Sequence, residues 1–150
     1  MLASFICMQA QKTMSTQEIS DRLQIRELVD RYSIESDKGN QDYYRNIFVK
    51  NLKLRIFSQG QVNEVNGVDE MIRLYKIGGK AKISHHLTGQ QTVEFSDANH
   101  ATGTVYLNAL LVNDADQPTY MYLKYYDKYE KIDGRWWITE RDQHIEYAHH

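Results

Sequence analysis

The sequence predicts an α+β fold in which N-terminal helices pack on one face of a curved, mostly antiparallel sheet. Two observations predict it. Apolar residues recur at helical intervals through much of the first half of the chain. The second half consists of four long segments rich in β-branched and aromatic types, divided by polar turns. Helices first and strands afterwards, rather than alternating βα units, point away from a doubly wound parallel sheet. A curved sheet backed by helices can enclose a pocket.

The elements follow in order. Ser15 and Glu18 have capping-box spacing, and Ile19, Leu23, Leu28, Val29 and Tyr32 then recur at helical intervals to about Ser36. Gly39 can end this helix in the left-handed region. Asn40 can then cap a short second helix bearing Tyr43, Tyr44, Ile47 and Phe48, so Asp37 falls at a helix–helix junction. Leu52, Leu54 and Ile56 alternate with Lys53 and Arg55 in a half-buried strand ending near Ser58, and after the Gln59-Gly60 turn a brief strand spans 62–65. Val68, Met71, Ile72 and Tyr75 mark a third helix over 68–77, closed by Gly78-Gly79. Strands are predicted over 83–95, 101–113, 120–132 and 135–145. The Asp133-Gly134 hairpin turn and looser turns at 96–99 and 113–119 imply an antiparallel meander.

Composition narrows the function classes. The 150 residues are 41% hydrophobic and 25% charged, the balance of one globular domain, expected over 14–150. Eighteen basic and twenty acidic residues are interspersed, so no basic block offers a phosphate-binding surface and nucleic acid is not an expected partner. No apolar run reaches the ~20 residues of a membrane span, and a lone cysteine, Cys7, cannot form an internal disulfide. Residues 1–13 read as an extension without fold, either disordered or the product of a start placed ahead of Met14. The apolar run 2–8 lacks the basic front of a secretory signal, which favours a cytoplasmic protein over one with a signal remnant. Eleven tyrosines, each an apolar ring carrying a hydroxyl that needs a partner, indicate a wet-edged cavity or an interface.

Candidate chemistry is sparse. His85 and His86 share a predicted strand and point to opposite faces, so they do not chelate one metal together, and no metal is expected. The inward one can act as a general base if an acid orients its other nitrogen; otherwise it is a core histidine bonded to a carbonyl. Asp37 either caps the next helix or supplies that acid. Arg141 lies in a strongly apolar strand with Trp136, Trp137, Ile138 and Ile145. Glu140 and Asp142 face the other way by alternation, so its carboxylate or ligand must come from elsewhere. Tyr120, Tyr122, Tyr125, Tyr126 and Tyr129 populate both faces of one strand, mostly for packing, with one or two reaching a pocket.

The run Ile25-Arg26-Glu27-Leu28-Val29-Asp30-Arg31-Tyr32 is followed by Asp37-Lys38-Gly39-Asn40, Ile47-Phe48, Gly67 with its helix, and Ser84-His85-His86. Tyr126-Asp127-Lys128-Tyr129, Asp133-Gly134-Arg135-Trp136 and Arg141 complete the series. Together these resemble the SnoaL-like branch of the NTF2-like superfamily over about residues 16–146, and within it the scytalone dehydratase and hexachlorocyclohexane dehydrochlorinase group. The resemblance implies a cone, with N-terminal helices in the concave face of the sheet, and a cofactor-free enzyme whose histidine base is oriented by an aspartate.

By that resemblance Asp37 and His86 fall on the dyad, Tyr32 on a pocket-facing polar position, and Arg141 on an arginine beside the substrate. Tyr125, Tyr44, Tyr106 and Asn108 are the candidate substrate contacts, the last two because the dehydratase's second histidine falls near Val105. The implied function is a cofactor-independent lyase or isomerase, of dehydratase or cyclase type, that removes a proton from a small apolar substrate. Two alternatives stand beside it: a non-catalytic protein holding a hydrophobic small molecule, and an interaction module in which the outer sheet face forms a homodimer or homotrimer.

Overall fold

The computed structural model describes residues 13–149. Apart from Thr13, the expected N-terminal extension, with its apolar run and Cys7, lies outside the described residues. The elements run α1 (Thr16–Asp37), a 3₁₀ helix (Gln41–Asn46), β1 (Phe48–Ser58), β2 (Gln61–Asn66), α2 (Val68–Ile77), β3 (Ile83–Phe95), β4 (His100–Val112), β5 (Pro118–Ile132) and β6 (Arg135–His149). Helix and strand assignments follow the predicted order, in an α+β architecture with one curved six-stranded mixed sheet. No helix among the described residues is long and apolar enough to cross a membrane.

The sheet order is β2-β1-β6-β5-β4-β3. Strands joined by a turn pair antiparallel, β1 with β2 and β3 through β6 in succession. Strands β2 and β3 lie at opposite edges, and β1 runs parallel to β6, with Phe48 opposite Ile138 and Leu54 opposite Arg141. Local turn signals report only hairpins, so this seam between an early strand and the last one has no sequence signature. The same seam explains why the second helix is shorter than expected. Ile47 N–H bonds the Tyr44 carbonyl at 2.9 Å, which closes the 3₁₀ turn, and the Ile47 carbonyl accepts from Ile138 N–H at 3.0 Å. Phe48 therefore opens β1 rather than ending a helix.

Helix α1 buries Ile25, Leu28, Val29 and Tyr32 against the inward residues of the sheet, among them Leu52, Leu54, Val105, Leu107, Leu123, Tyr125, Trp136 and Ile138. Ile19 and Leu23, on the helical repeat, stay 46% and 65% exposed because the core stripe begins at Ile25. Two arginines tie the helix to β3: Arg22 donates to the Val93 carbonyl at 2.8 Å, and Arg26 to the Gly89 carbonyl at 2.9 Å. The β3–β4 register shifts between Thr88 and Gln91. Such a bulge frees backbone groups from the ladder, and Arg26 takes one of them. Near the start of the helix, buried Asp21 accepts from Trp136 Nε1 at 2.9 Å and pairs with Lys131 at 2.6 Å.

Candidate active site

Helix α1 ends on a Schellman-type turn. Asn40 N–H reaches the Glu35 carbonyl at 2.8 Å and Gly39 N–H the Ser36 carbonyl at 3.0 Å, while Gly39 adopts φ +70°. This reversal leaves Asp37 as the last helical residue, beside β3. A carboxylate there opposes the helix dipole, whose C-terminal end is partially negative. Three donors from β3 hold it in place. Ser84 Oγ donates to Oδ1 at 2.9 Å, His86 N–H donates to Oδ2 at 3.0 Å, and His86 Nδ1 lies 2.6 Å from Oδ1. Asp37 is thus committed to β3 and does not cap the 3₁₀ helix; the Asn40 side chain does not cap it either, donating instead to Glu35 Oε2 at 2.7 Å. Burial pushes the Asp37 carboxyl up, but the bonds from His86 and Ser84 outweigh it and leave its pKa below the ordinary value.

Strand alternation separates the two histidines. His85 is exposed, while His86 points inward with a side chain only 13% exposed. With Nδ1 held by Asp37, Nε2 has no protein partner among the described residues, and the ring lines a cavity of about 610 Å³. That volume lies within the ~300–1,000 Å³ range of small-molecule sites. Its walls come from every layer: Tyr32 and Ser36 on α1, Tyr44 on the 3₁₀ helix, Tyr75 on α2, Ala109 and Leu111 on β4, Met121, Leu123 and Tyr125 on β5, and Gln143 on β6.

The tyrosines form a packed group. Tyr32 meets Tyr44 at 5.1 Å between ring centroids and Tyr125 edge-on at 5.9 Å, and Tyr44 meets Tyr75 edge-on at 6.1 Å. The single Ser36 hydroxyl proton goes to the Tyr32 carbonyl at 2.6 Å, so Tyr44 is the donor in its 2.7 Å bond with Ser36. Tyr75 donates to Gln143 Oε1 at 3.2 Å. Burial pushes the phenols of Tyr44, Tyr75 and Tyr125 well up, so all three remain neutral donors over any working pH.

Of the residues expected at the site, Asp37, His86, Tyr32, Tyr44 and Tyr125 converge on this cavity, and three others do not. Arg141, expected beside the substrate, is fully buried behind the aromatic wall and does not line the cavity. Its Nε and Nη2 make a bidentate pair with Asp127 at 2.7 Å each, and its Cζ stands 4.1 Å from the Tyr125 ring centroid, 4.7 Å from Tyr32 and 5.1 Å from Phe48. The expected outside partner is thus Asp127 on the neighbouring strand. Tyr106 and Asn108 are exposed on the outer face, because the inward positions of β4 are Val105, Leu107 and Ala109. Ser84, Ser36, Tyr75 and Gln143 belong to the site without having been singled out. For Ser84 the signal was available, since it stands two residues before His86 on one strand face.

Comparison with known proteins now decides the family. Residues 17–142 match the SnoaL-like domain. The chain belongs to the SnoaL-like family, within the NTF2-like superfamily. No curated protein sequence matches it. Among solved structures it is similar to a provisionally named scytalone dehydratase from Novosphingobium aromaticivorans, at 17% identity and TM-score 0.81 over 91% of each chain. It is also similar to the hexachlorocyclohexane dehydrochlorinase LinA-type3 from Novosphingobium barchaimii, at 18% identity and TM-score 0.77 over 89% of this chain and 91% of that one. At such identities the likeness carries the fold, and this SnoaL-like chain's chemistry has to be argued from its own residues.

Proposed function

We propose that the protein is a cofactor-independent lyase or isomerase that removes a carbon-bound proton from a small, largely apolar substrate. The observation that carries this reading is the 2.6 Å contact between Asp37 and His86 Nδ1, with the ring opening into the cavity. A carboxylate on Nδ1 fixes the tautomer in which Nε2 is a lone-pair base and stabilises the imidazolium formed on proton transfer. The hydroxyls of Tyr32 and Tyr125 supply hydrogen bonds to a carbonyl or enolate oxygen. The Arg141 cation behind their rings favours negative charge on that side without touching the substrate. A leaving hydroxyl or halide makes the reaction an elimination, and reprotonation elsewhere makes it an isomerisation.

A base that removes a proton next to a carbonyl also exchanges it with solvent. Aryl and cyclic ketones incubated with the protein in D₂O are expected to show α-proton wash-out by NMR, and His86→Ala to slow it by ~10²- to 10⁴-fold. Equal exchange rates in the two proteins would remove His86 from the mechanism. Binding without catalysis is favoured less, since that reading calls for an occluded pocket or an Asp37 turned to the helix cap. A companion proposal is a homo-oligomer formed through the outer sheet face, where Leu87, Tyr106, Tyr122, Tyr126 and Tyr147 are each 45–59% exposed. Solution mass across a dilution series is expected to exceed the 17.7 kDa of one chain, and a mass of one chain at every concentration overturns it.

A further inference from the structure

The lysines around the cavity are not equivalent. Lys38, Lys76 and Lys82 each adjoin a lining residue in sequence, and each is neutralised: Lys38 by Glu35 at 2.8 Å, Lys76 by Asp42 at 2.7 Å and Lys82 by Asp116. Lys80 itself lines the cavity, is exposed, and has no ion-pair partner among the described residues. Its aliphatic stem lies across the reversal that ends α1. A Cβ built on Gly39 would come within 3.4 Å of Lys80 Cδ and 3.5 Å of Cε. Gly39 is therefore needed for its backbone angle, and an added Cβ would meet the lysine stem only at ordinary van der Waals distance.

The carboxylates of the same cavity leave this ammonium available. Asp37 already accepts from three donors on Ser84 and His86, and Asp114, on the β4–β5 turn, makes no ion pair with Lys80. A cation whose stem passes the end of α1, at a cavity of mixed polar and aromatic lining that also holds the Asp37 carboxylate, distinguishes the two ends of an amphipathic anion. The anionic group is attracted to Lys80 and repelled from Asp37.

We infer that Lys80 is a specificity-determining residue that receives a carboxylate, and that the substrate class is an amphipathic organic acid. Its aromatic or alicyclic body lies between Tyr32, Tyr125 and Leu123, with its acidic C–H toward His86. This rests on the proton-abstraction reading for its orientation, and the test separates the two.

The probes are 4-methylbenzoate and its neutral counterpart 4-methylacetophenone, titrated while the His86 ring resonances are followed in a ¹H–¹⁵N spectrum assigned with His86→Gln. Occupancy is thus read in the cavity and not at other apolar surfaces. Lys80→Met is expected to weaken 4-methylbenzoate by about two- to fivefold, the range for an exposed ion pair. It should leave 4-methylacetophenone unchanged, and the difference should shrink at ~1 M salt. Lys53→Met, which removes the same charge on the outer face, should change neither. Equal 4-methylbenzoate affinity in wild type and Lys80→Met overturns the proposal, as does an equal loss for both probes or an equal effect of Lys53→Met. If neither probe moves the His86 resonances, the small-molecule cavity fails and this assignment with it. If both bind without discrimination, the cavity stands and only Lys80 is refuted.

Discussion

Asp127→Ala is expected to destabilise the fold by about 3–5 kcal/mol, the cost of leaving one partner of a buried pair uncompensated. Asp127 and Arg141 side chains are both fully buried, so water does not reach the guanidinium to replace the lost carboxylate. Arginine does not escape by releasing its proton. Burial opposes the charge, but Asp127 more than offsets this and drives the Arg141 pKa further up. Nη1 already lacks a hydrogen-bond partner, which leaves three aromatic rings as the remaining support. Tyr129, whose hydroxyl donates to Asp127 at 3.1 Å, loses its acceptor at the same time. At ~2–4 °C per kcal/mol for a chain of this size, the thermal midpoint should fall by about 6–20 °C. Asp127→Leu combined with Arg141→Met should recover most of it, since apolar replacement of a whole buried pair is often neutral or better. A single variant with an unchanged midpoint would show that the guanidinium finds another partner.

Asp37→Asn is the variant expected to affect the reaction most without altering side-chain size. All three groups facing the carboxylate are donors in the working arrangement: Ser84 Oγ, His86 N–H and His86 Nδ1–H. An asparagine has one acceptor oxygen and one donor nitrogen. If its oxygen stays on the His86 amide, its NH₂ faces Nδ1 and forces the ring into the tautomer that carries hydrogen on Nε2. The base is then blocked by its own proton, and α-exchange should fall by ~10²- to 10⁴-fold, as for other misoriented histidine bases. Ser84→Ala leaves Nδ1–H on the carboxylate, so its effect should be much smaller. The same variant has an acid signature. Because the folded-state pKa of Asp37 lies below its unfolded value of ~3.9, its contribution to stability is present above that value and is lost as pH falls through the folded pKa. Denaturation curves from pH 6 down to 2.5 should therefore show the gap between wild type and Asp37→Asn narrowing below about pH 4. A gap that stayed constant would mean that the carboxylate gains nothing from its three donors.

The α+β class and the element order were legible because helical and strand periods are local properties of the chain. The dyad was legible through the resemblance, and alternation alone already put His86 and His85 on opposite faces. The Arg141 partner shows where such reading stops. Alternation required a carboxylate from elsewhere, and the two-residue turn at Asp133-Gly134 fixes the register next to it, with Ile132 opposite Arg135. Extended unchanged, that register would set Asp127 against Glu140. A shift between Lys128 and Tyr129 moves it by one, and Asp127 comes opposite Arg141. A bulge of one residue inside a strand leaves no trace in composition, yet it decides which charges meet. Tyr106 and Asn108 show the opposite case, since strand parity alone turns both away from the face that Val105, Leu107 and Ala109 bury, however near they lie to Val105 in sequence.

The parallel seam between β1 and β6 also orders events in time. The hairpins from β3 to β6 can zip as they are made, whereas β1 must wait, unpaired on that side, until the last strand exists. During synthesis on the ribosome the N-terminal helix and β1 therefore have no completed sheet to cover, and their apolar faces lack their native partners until the last strands emerge. Tyr125 on β5 and Gln143 on β6 complete the cavity wall, so the Asp37–His86 pair is enclosed only after nearly the whole chain has been translated. A nascent chain of this protein carries the aspartate and the histidine long before it owns a chamber in which they can work.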